Sequence, residues 1–438
     1  MLTLQLTTPC QAARMEPLLL TGGKVALGAF EAAQMDLEIG HGIITAMNSS
    51  MERPEPRSTE FLPINLQGNL VMPGLINAHD HLEFGLFPRL GNGPYPDARS
   101  WAMDIYRPQE PPIRELLTIS KPTRLFWGGL KNLFSGVTTV CHHNPYDGEI
   151  FHSHFPVRVM DTYRWAHSLD FSSAGESSLE NLPGYAPFQI HLGEGTGERS
   201  RKEIYELDQR GFLDDRSVLI HAVAFEENEW KLIRERGASV IWCPSSNLFT
   251  LGQTLNLDSL SREIPVGLGS DSPLTSEGDL LDEIRVAAQL GTPAEQLYEM
   301  VTEIPAAIFR LRQGEGRITL GGIADLLIVT DTGETPAQRL LSLRHRDIQL
   351  IIRGGEIILA SEQFVQQSGT LLRESLQPIF FDELHWWTSL DVQSRWDETI
   401  QMMRVMSSLQ AGRSGNSSFH DFVYKGNHNE SNCITRAG

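Results

Sequence analysis

Two histidines, His79 and His81, are separated by one residue directly after an apolar run that begins at Val71. In an extended strand, residues two apart project from the same face, so both imidazoles would lie side by side while Asp80 turns away. Two neutral imidazoles held in this way form a suitable half-site for a divalent transition metal. Two chance histidines on a strand would look the same, so the rest of the chain has to supply the remaining ligands.

Further polar residues follow other apolar runs, later in the chain. His191 and Glu194 occur in IHLGEG, His221 occurs in LIHAV, and Asp271 occurs in GLGSDSP. In a parallel α/β barrel the carboxyl ends of the strands build the active site, so we expect these side chains on the same face as the first histidine pair. Three histidines and one aspartate would hold a catalytic metal with one position left open for water.

The elements that would position these residues alternate between strands and helices. Helical segments such as SRKEIYELDQRGF and EENEWKLIRERG separate apolar runs at 137–141, 157–163, 188–192, 218–222, 239–243 and 265–269. Continuously apolar strands that alternate with helices indicate a parallel sheet covered by helices. The sequence therefore predicts an α/β protein with a distorted (β/α)8 TIM-like barrel. Only seven strands can be counted, because the chain between Tyr163 and Phe188 has no room for a full helix–strand–helix unit.

The predicted barrel covers residues 71–305 and is flanked by short strand-like pieces. These pieces are separated by glycine-bearing turns and lie within residues 17–70 and 306–375. We expect the two flanks to pair as a small composite β-sandwich. Residues 376–438 are expected to form a C-terminal helical extension, which holds Trp386, Trp387 and Trp396, followed by a Ser/Gly/Asn-rich disordered tail from about residue 412. Residues 1–16 resemble a loose leader in which Met15 is an alternative start.

A long connection, FGLFPRLGNGPYPDARSWAMDIYRPQEPP, begins shortly after His81. Loops longer than about 12–15 residues in a compact domain are usually functional, so this one is a candidate substrate lid rather than a simple surface excursion. Candidate substrate-binding residues are Trp101 on this loop and Asn144, Trp165 and His167 after the next two apolar runs. Weaker candidates in the same regions are Arg89, Tyr95, His142, His143 and Arg164.

Composition excludes several classes of partner. The chain carries 55 acidic and 36 basic residues, a net charge of −19, which argues against nucleic acid or an anionic membrane as partner. No apolar run reaches the roughly 18–20 residues that span a bilayer, and no signal peptide is evident. The four cysteines lie far apart without a CxxC motif, which is typical of a cytoplasmic protein: Cys10, Cys141, Cys243 and Cys433. A small-molecule substrate is the expected partner.

The motifs PGLINAHDHLE, HLGEG, LIHAV, RGASVIWCPSSN and GLGSDSP together resemble the amidohydrolase superfamily. Within it they are closest to the branch of guanine and cytosine deaminases, S-adenosylhomocysteine-type deaminases and triazine hydrolases. The segment GGIADLLIVT resembles the closing sandwich segment of the same superfamily. This resemblance implies a metal-ligand set of His79, His81, His191 and Asp271. It also implies that Glu194 and His221 handle protons.

The absence of a lysine from one part of the chain predicts the number of metal ions. Many members of the superfamily bridge two metals through a carboxylated lysine on a mid-barrel strand, but this chain has no lysine between Lys131 and Lys202. We therefore expect one divalent metal ion. A set of three histidines and one aspartate suits zinc, with iron or manganese as alternatives. A homodimer is expected from the resemblance alone.

The expected reaction is hydrolysis of a carbon–nitrogen bond other than a peptide bond, and specifically the hydrolytic deamination of a heterocyclic amine. Asp271 would accept a proton from the attacking water, His221 would orient that water, and Glu194 would pass a proton to a ring or amide nitrogen. Two alternatives stay open. One is hydrolysis of a cyclic or linear amide, or of another leaving group, on the same site. The other is a catalytically silent scaffold.

Overall fold

The computed structural model describes residues 17–49, 61–169, 184–257, 260, 263–368, 370–381 and 384–411. Several sequence-based predictions lie outside the described residues. These are the leader of residues 1–16, most of the stretch between Tyr163 and Phe188 (residues 170–183) and the tail from residue 412.

Among the described residues, five strands precede the first candidate ligand. They are β1 (Leu18–Ala26), β2 (Ala32–Gly40), β3 (Ile43–Ser49), β4 (Leu62–Asn65) and β5 (Leu70–Pro73). β2 pairs antiparallel with both β1 and β3, whereas β4 and β5 run parallel to β1. His41 and Gly42 both have positive φ in the two-residue turn between β2 and β3, as tight hairpins of this length require.

The central region alternates between strands and helices, as predicted. Its strands are β6 (Leu75–Asp80), β7 (Val137–His142), β8 (Arg158–Val159), β9 (Arg164–Ala166), β10 (Phe188–Leu192), β11 (Ser217–His221), β12 (Ser239–Trp242) and β13 (Val266–Leu268). Its helices are α1 (Ala98–Ile105), α2 (Ile113–Leu116), α3 (Lys121–Phe134), α4 (Glu198–Gln209), α5 (Glu227–Arg236), α6 (Pro244–Leu251), α7 (Leu280–Gln289), α8 (Ala294–Met300) and α9 (Glu303–Ile308). All neighbouring strands pair in parallel, in the orders β6-β7-β8 and β9-β10-β11-β12-β13.

The two parallel sheets meet at an interrupted strand. Only residues 160–163 separate β8 from β9. A crossover between parallel strands needs about a dozen residues or more, so β8 and β9 are two parts of one passage of the chain. The first part pairs with β7 and the second part pairs with β10. The described residues therefore hold seven strand passages. The unit predicted to be shortened, between Tyr163 and Phe188, lies largely outside the described residues.

At the opposite edges of the sheets, β6 and β13 approach each other near the predicted ligands. An isolated parallel bridge joins Asp80 to Asp271, and the backbone N–H of Asp271 donates to the carbonyl of His79 at 3.0 Å. Gly269 lies so close to His79 that a Cβ at this position would stand 2.7 Å from the Cβ of His79. This close approach explains why a glycine precedes the aspartate in GLGSDSP.

The C-terminal flank completes a sheet that the N-terminal flank begins. Its strands are β14 (Leu326–Val329), β15 (Ile348–Arg353), β16 (Glu356–Ser361), β17 (Gln377–Phe381) and β18 (Leu384–Thr388), and its helices are α10 (Pro336–Ser342), α11 (Glu362–Ser368), α12 (Thr370–Ser375) and α13 (Val392–Ala411). β14 pairs antiparallel with β5, so both flanks belong to one ten-stranded sheet. None of the helices in the described part of the chain is long and apolar enough to cross a membrane.

The prediction of a helix around Trp386 and Trp387 is wrong, because both residues lie on strand β18. Trp386 is buried against the ring of Phe134, whereas the indole N–H of Trp387 donates to the carboxylate of Glu362. Adjacent residues that face opposite environments are typical of a strand, and aromatic residues favour strands. The sheet therefore extends past residue 375, and of the three tryptophans only Trp396 lies on a helix, α13.

Candidate metal centre and active site

The four predicted ligands converge at the carboxyl ends of the parallel strands. The Nε2 atom of His191 lies 3.3 Å from Nε2 of His79 and 3.3 Å from Nε2 of His81. The Oδ1 atom of Asp271 lies 3.6 Å and 3.7 Å from the same two nitrogens. All four side chains are buried. Strands β6 and β10 and the turn after β13 thus bring together three nitrogens and one oxygen.

These donor atoms fit a divalent metal. Ligand atoms about 2.0–2.1 Å from a tetrahedral zinc ion are about 3.3 Å from one another, which is close to the spacing found here. His191 donates from Nδ1 to the carbonyl of His167 at 2.7 Å, and this bond leaves a lone pair on Nε2. Burial lowers the pKa of His79 to about 3, so its imidazole is neutral and able to coordinate at neutral pH.

Asp271 is held with one oxygen toward the histidines. Its Oδ2 atom accepts hydrogen bonds from Ser246 at 2.6 Å and from Thr275 at 3.2 Å, so Oδ1 is left to face His79 and His81. Burial by itself would raise the pKa of Asp271, but the neighbouring His79 and His221 outweigh it and hold the pKa well below its usual value. The carboxylate is therefore ionised.

Asp80 turns away from the candidate ligands, as the strand geometry predicts. Its Oδ2 atom accepts from Asn132 at 2.8 Å and from Ser270 at 3.1 Å, and it lies 3.0 Å from the ammonium group of Lys131. This buried network ties the end of β6 to α3 and to the segment after β13. It fixes the backbone that carries His79 and His81.

Glu194 and His221 lie together beside the four donor atoms. The Oε1 atom of Glu194 is 3.6 Å from Nε2 of His221, and the His221 ring stacks 5.3 Å from that of His191. Burial raises the pKa of Glu194 to about 7, although the nearby His221 opposes the shift. Near neutral pH this carboxyl can therefore both accept and release a proton.

The first turn of α6 carries contacts that the sequence analysis missed. Proline begins this helix directly after β12, and the next three residues each bond to a different buried group. Ser245 donates to Glu283, and Ser246 donates to Asp271. Asn247 accepts from Nδ1 of His221 at 2.7 Å, which leaves Nε2 of His221 facing Glu194. In the sequence, this segment contributes only to the family resemblance, as part of RGASVIWCPSSN.

The predicted lid contacts the loops that surround the site. Asp97 pairs with Gly195 in an antiparallel bridge, and the backbone N–H of Ala98 donates to the carbonyl of Glu194 at 3.1 Å. The indole of Trp101 donates to the carbonyl of Leu90 at 2.9 Å. Trp101 thus bonds to another residue of the same loop. The hydrogen bond of Ala98, in contrast, holds the loop against the segment that carries Glu194.

The other substrate-binding candidates differ in their surroundings. His167 is exposed, and its ring lies 4.9 Å from that of His191. Trp165 is buried in an apolar cluster, and Asn144 donates from its side chain to Glu83. Of the weaker candidates, His143 is the one that joins the cluster, with its ring 4.2 Å from that of His191. The remaining four contact neighbours outside it: Arg89 contacts Ser276, Tyr95 contacts Asp104, His142 lies 3.8 Å from Glu83, and Arg164 contacts Ala186.

Comparisons with known proteins identify the family. A sequence profile of the amidohydrolase family matches residues 186–359. The 5-methylthioadenosine/S-adenosylhomocysteine deaminase 2 of Archaeoglobus fulgidus is 35% identical, in an alignment that covers 66% of this chain and 80% of the relative. The chain belongs to the amidohydrolase family. It is accordingly a hydrolase that acts on carbon–nitrogen bonds other than peptide bonds.

Solved structures of the amidohydrolase fold agree with this assignment. An adenosine deaminase from Xanthomonas campestris with bound zinc has a TM-score of 0.66 at 18% identity, and the match covers 89% of this chain and 98% of that chain. An atrazine chlorohydrolase from Arthrobacter aurescens complexed with zinc has a TM-score of 0.60 at 17% identity, with 81% and 99% covered. These likenesses show a TIM-barrel-like α/β fold.

Proposed function

We propose that this amidohydrolase deaminates a heterocyclic amine and uses one divalent metal ion. The observation that carries the proposal is that Nε2 of His191 and Oδ1 of Asp271 each lie 3.3–3.7 Å from Nε2 of both His79 and His81. The Glu194–His221 pair lies directly beside these atoms. The proposed ligands are His79, His81, His191 and Asp271. Zinc is the proposed metal because two proteins of the same fold contain it, with iron or manganese as alternatives.

Each catalytic group has one proposed task. When bound, a divalent cation lowers the pKa of its water toward about 7. Ionised Asp271 accepts a proton from the attacking water, and Nε2 of His221 accepts a hydrogen bond from the same water and so orients it. Glu194 delivers a proton to the ring nitrogen next to the attacked carbon. A new C–O bond forms, and Asp271 passes the proton it accepted to the departing NH2 group. The C–NH2 bond breaks, the proton of the added hydroxyl returns to Glu194, and the products are a carbonyl compound and ammonia.

One metal, rather than two, follows from the residues available. The chain has no lysine between Lys131 and Lys202 that could be carboxylated and bridge two ions. Lys131 itself lies 3.0 Å from Asp80, which points away from the ligand cluster. The proposed centre is therefore mononuclear.

The proposal also divides the chain by task. In this proposal residues 71–305 form a closed, distorted barrel that carries the catalytic groups. Residues 17–70 and 306–375 form a composite sandwich, and its sheet is joined through β5 and β14. Past residue 375, β17 and β18 continue the same sheet, and α13 follows them as a helical extension. The substrate is a small molecule, and we place the protein in the cytoplasm, with a homodimer as the proposed assembly.

A second reaction on the same site is favoured by a specific similarity. A protein with this fold is named an atrazine chlorohydrolase, so the same scaffold hydrolyses a leaving group other than an amine. Hydrolysis of an amide or of another leaving group is thus the alternative function. A silent scaffold is disfavoured, because an inactive barrel needs neither the raised pKa of Glu194 nor the contact of this residue with His221.

Product analysis separates these functions. The zinc-loaded protein would be incubated with aminated purines, pyrimidines and triazines, with matched chloro-substituted rings, and with cyclic amides. Deamination predicts ammonia release from at least one aminated ring. Chloride release alone, or ring opening of amides alone, would replace the proposal with the alternative. Turnover of none of them would favour the silent scaffold.

A further inference from the structure

His143 lies inside the histidine cluster, although no motif points to it. It follows β7 by one residue and is fully buried. Its ring lies 4.2 Å from that of His191 and 5.1 Å from that of His79. One ring nitrogen from each of His143, His79 and His191 lies within 4.8 Å of the other two. His79, His143 and His191 thus form a second group of three donors that shares members with the first.

Hydrogen bonding fixes which nitrogen of His143 is available. Its Nε2 atom donates to the carbonyl of Ala166 at 3.0 Å, so Nδ1 carries the lone pair. Nδ1 is buried and has no hydrogen-bond partner within the described part of the chain. Buried polar atoms are nearly always paired, so a ring that served for packing alone would leave this atom unsatisfied.

The same short segment orients His143 and a proposed ligand. Ala166 is the last residue of β9 and accepts from His143, whereas the next residue, His167, accepts from Nδ1 of His191. Backbone carbonyls that fix the tautomer of an imidazole in this way are characteristic of metal-binding histidines. The second part of the interrupted strand therefore presents two adjacent carbonyls that prepare two imidazoles for coordination.

We propose that His143 is a fifth protein ligand of the metal centre. The inference rests on the metal site of the proposed function and deepens it. With His79, His81, His191 and Asp271, it makes a set of four histidines and one aspartate, and one position is left for water.

Two substitutions separate ligation from positioning. His143→Gln keeps an amide N–H close to where Nε2 meets Ala166, but it lacks a donor atom at the position of Nδ1. His143→Asn does the reverse, because its side-chain oxygen lies close to the position of Nδ1 and cannot reach Ala166. For each variant and the wild type, metal affinity would be measured by chelator competition, and the coordination number from the visible spectrum of the Co²⁺-substituted protein.

The proposal predicts that His143→Gln weakens Mn²⁺ and Co²⁺ binding at least about tenfold and intensifies the Co²⁺ absorption, as a loss of one ligand does. His143→Asn should stay within about threefold of the wild type. Wild-type affinity and an unchanged spectrum in the Gln variant would overturn the inference, as would loss confined to the Asn variant. Failure of the wild type to bind any metal would instead overturn the proposed function.

Discussion

Glu194 is the residue on which the proposed proton transfer depends most directly. Its pKa of about 7 arises from burial, and His221 lies 3.6 Å away. We expect Glu194→Gln to lower kcat by about 10²–10⁴-fold with the metal content unchanged, because a positioned general acid contributes this much. If the variant turned over substrate at the wild-type rate, Glu194 would not be the proton donor.

Ionisation of Glu194 should make the catalytic activity depend on pH. The donor is the protonated form, so kcat/KM should fall as the pH rises through about 7. The Gln variant cannot ionise, and its residual activity should lack this limb of the profile.

Asn247 should act through His221 rather than on the substrate. Its side-chain oxygen accepts from Nδ1 of His221 at 2.7 Å, and its amide donates to Thr254 at 3.2 Å. Asn247→Leu removes the acceptor at similar size, so we expect kcat to fall about tenfold or more with little change in KM. Asn247→Asp keeps an acceptor and should restore most of the rate. Equal losses in the two variants would indicate a packing role instead.

Single residues differ in how far the sequence reveals them. His79, His81, His191 and Asp271 are recognisable because each follows an apolar run, and the structure brings them together. Their role as metal ligands stays a prediction. His143 and Asn247 are not recognisable in this way, because the first depends on a contact with Ala166 and the second on the direction of the first turn of α6.

At the scale of elements, α7 holds α6 against the site. Glu283 on α7 accepts from both the backbone N–H and the hydroxyl of Ser245, which begins the turn that carries Ser246 and Asn247. Complete burial raises the pKa of Glu283 to about 8. The folded protein therefore retains a proton that the unfolded chain releases near its ordinary pKa of 4.5.

This proton makes stability depend on pH. Between about pH 5 and 8 the native state binds more protons than the unfolded state, so the free energy of unfolding should decrease as the pH rises, by up to about 1.4 kcal/mol per unit. Glu283→Gln should flatten this dependence. Urea unfolding at pH 5, 6.5 and 8 would measure it, and an unchanged slope in the variant would show that Glu283 is not the group responsible.

Element boundaries were predictable where local chemistry marks them. α5 ends at Gly237, which has φ of 71° as a left-handed C-cap, and α3 ends just before Gly136, which also has positive φ. The strand β18 was mistaken for a helix because two adjacent tryptophans carry no clear period. Their partners, Phe134 and Glu362, are distant in sequence and lie on opposite sides of the strand.

For the whole molecule, a partly buried ion pair joins the parallel strands to the flanking sheet. Arg158 on β8 forms a paired contact with Asp325, which directly precedes β14 and also accepts from the backbone of Gly354 at 2.7 Å. Asp325→Ala leaves a largely buried guanidinium without its partner. We expect a loss of about 3 kcal/mol in the free energy of unfolding.

A more exposed ion pair provides the matched control. Lys24 on β1 lies 2.6 Å from Asp331, and its side chain is 38% exposed. Asp331→Ala should therefore cost no more than about 1 kcal/mol. Equal destabilisation by Asp325→Ala and Asp331→Ala in thermal or urea unfolding would contradict the role given to Arg158.

The architecture of the whole chain was partly predictable. Pairing of the two flanks follows from short strands on both sides of the alternating region, and β5 with β14 confirms that they share a sheet. The shortened unit stays a prediction. The sequence could not show that β8 and β9 divide one passage between two sheets, because a single apolar run does not reveal which neighbour each half pairs with.

The central claim is that the converged histidines and aspartate hold one catalytic metal. Elemental analysis of the purified protein, beside an Asp271→Ala variant, tests it most directly. We predict about one zinc, iron or manganese ion per wild-type chain and a large loss in the variant. No bound metal after reconstitution with each ion, or two ions per chain, would contradict the account.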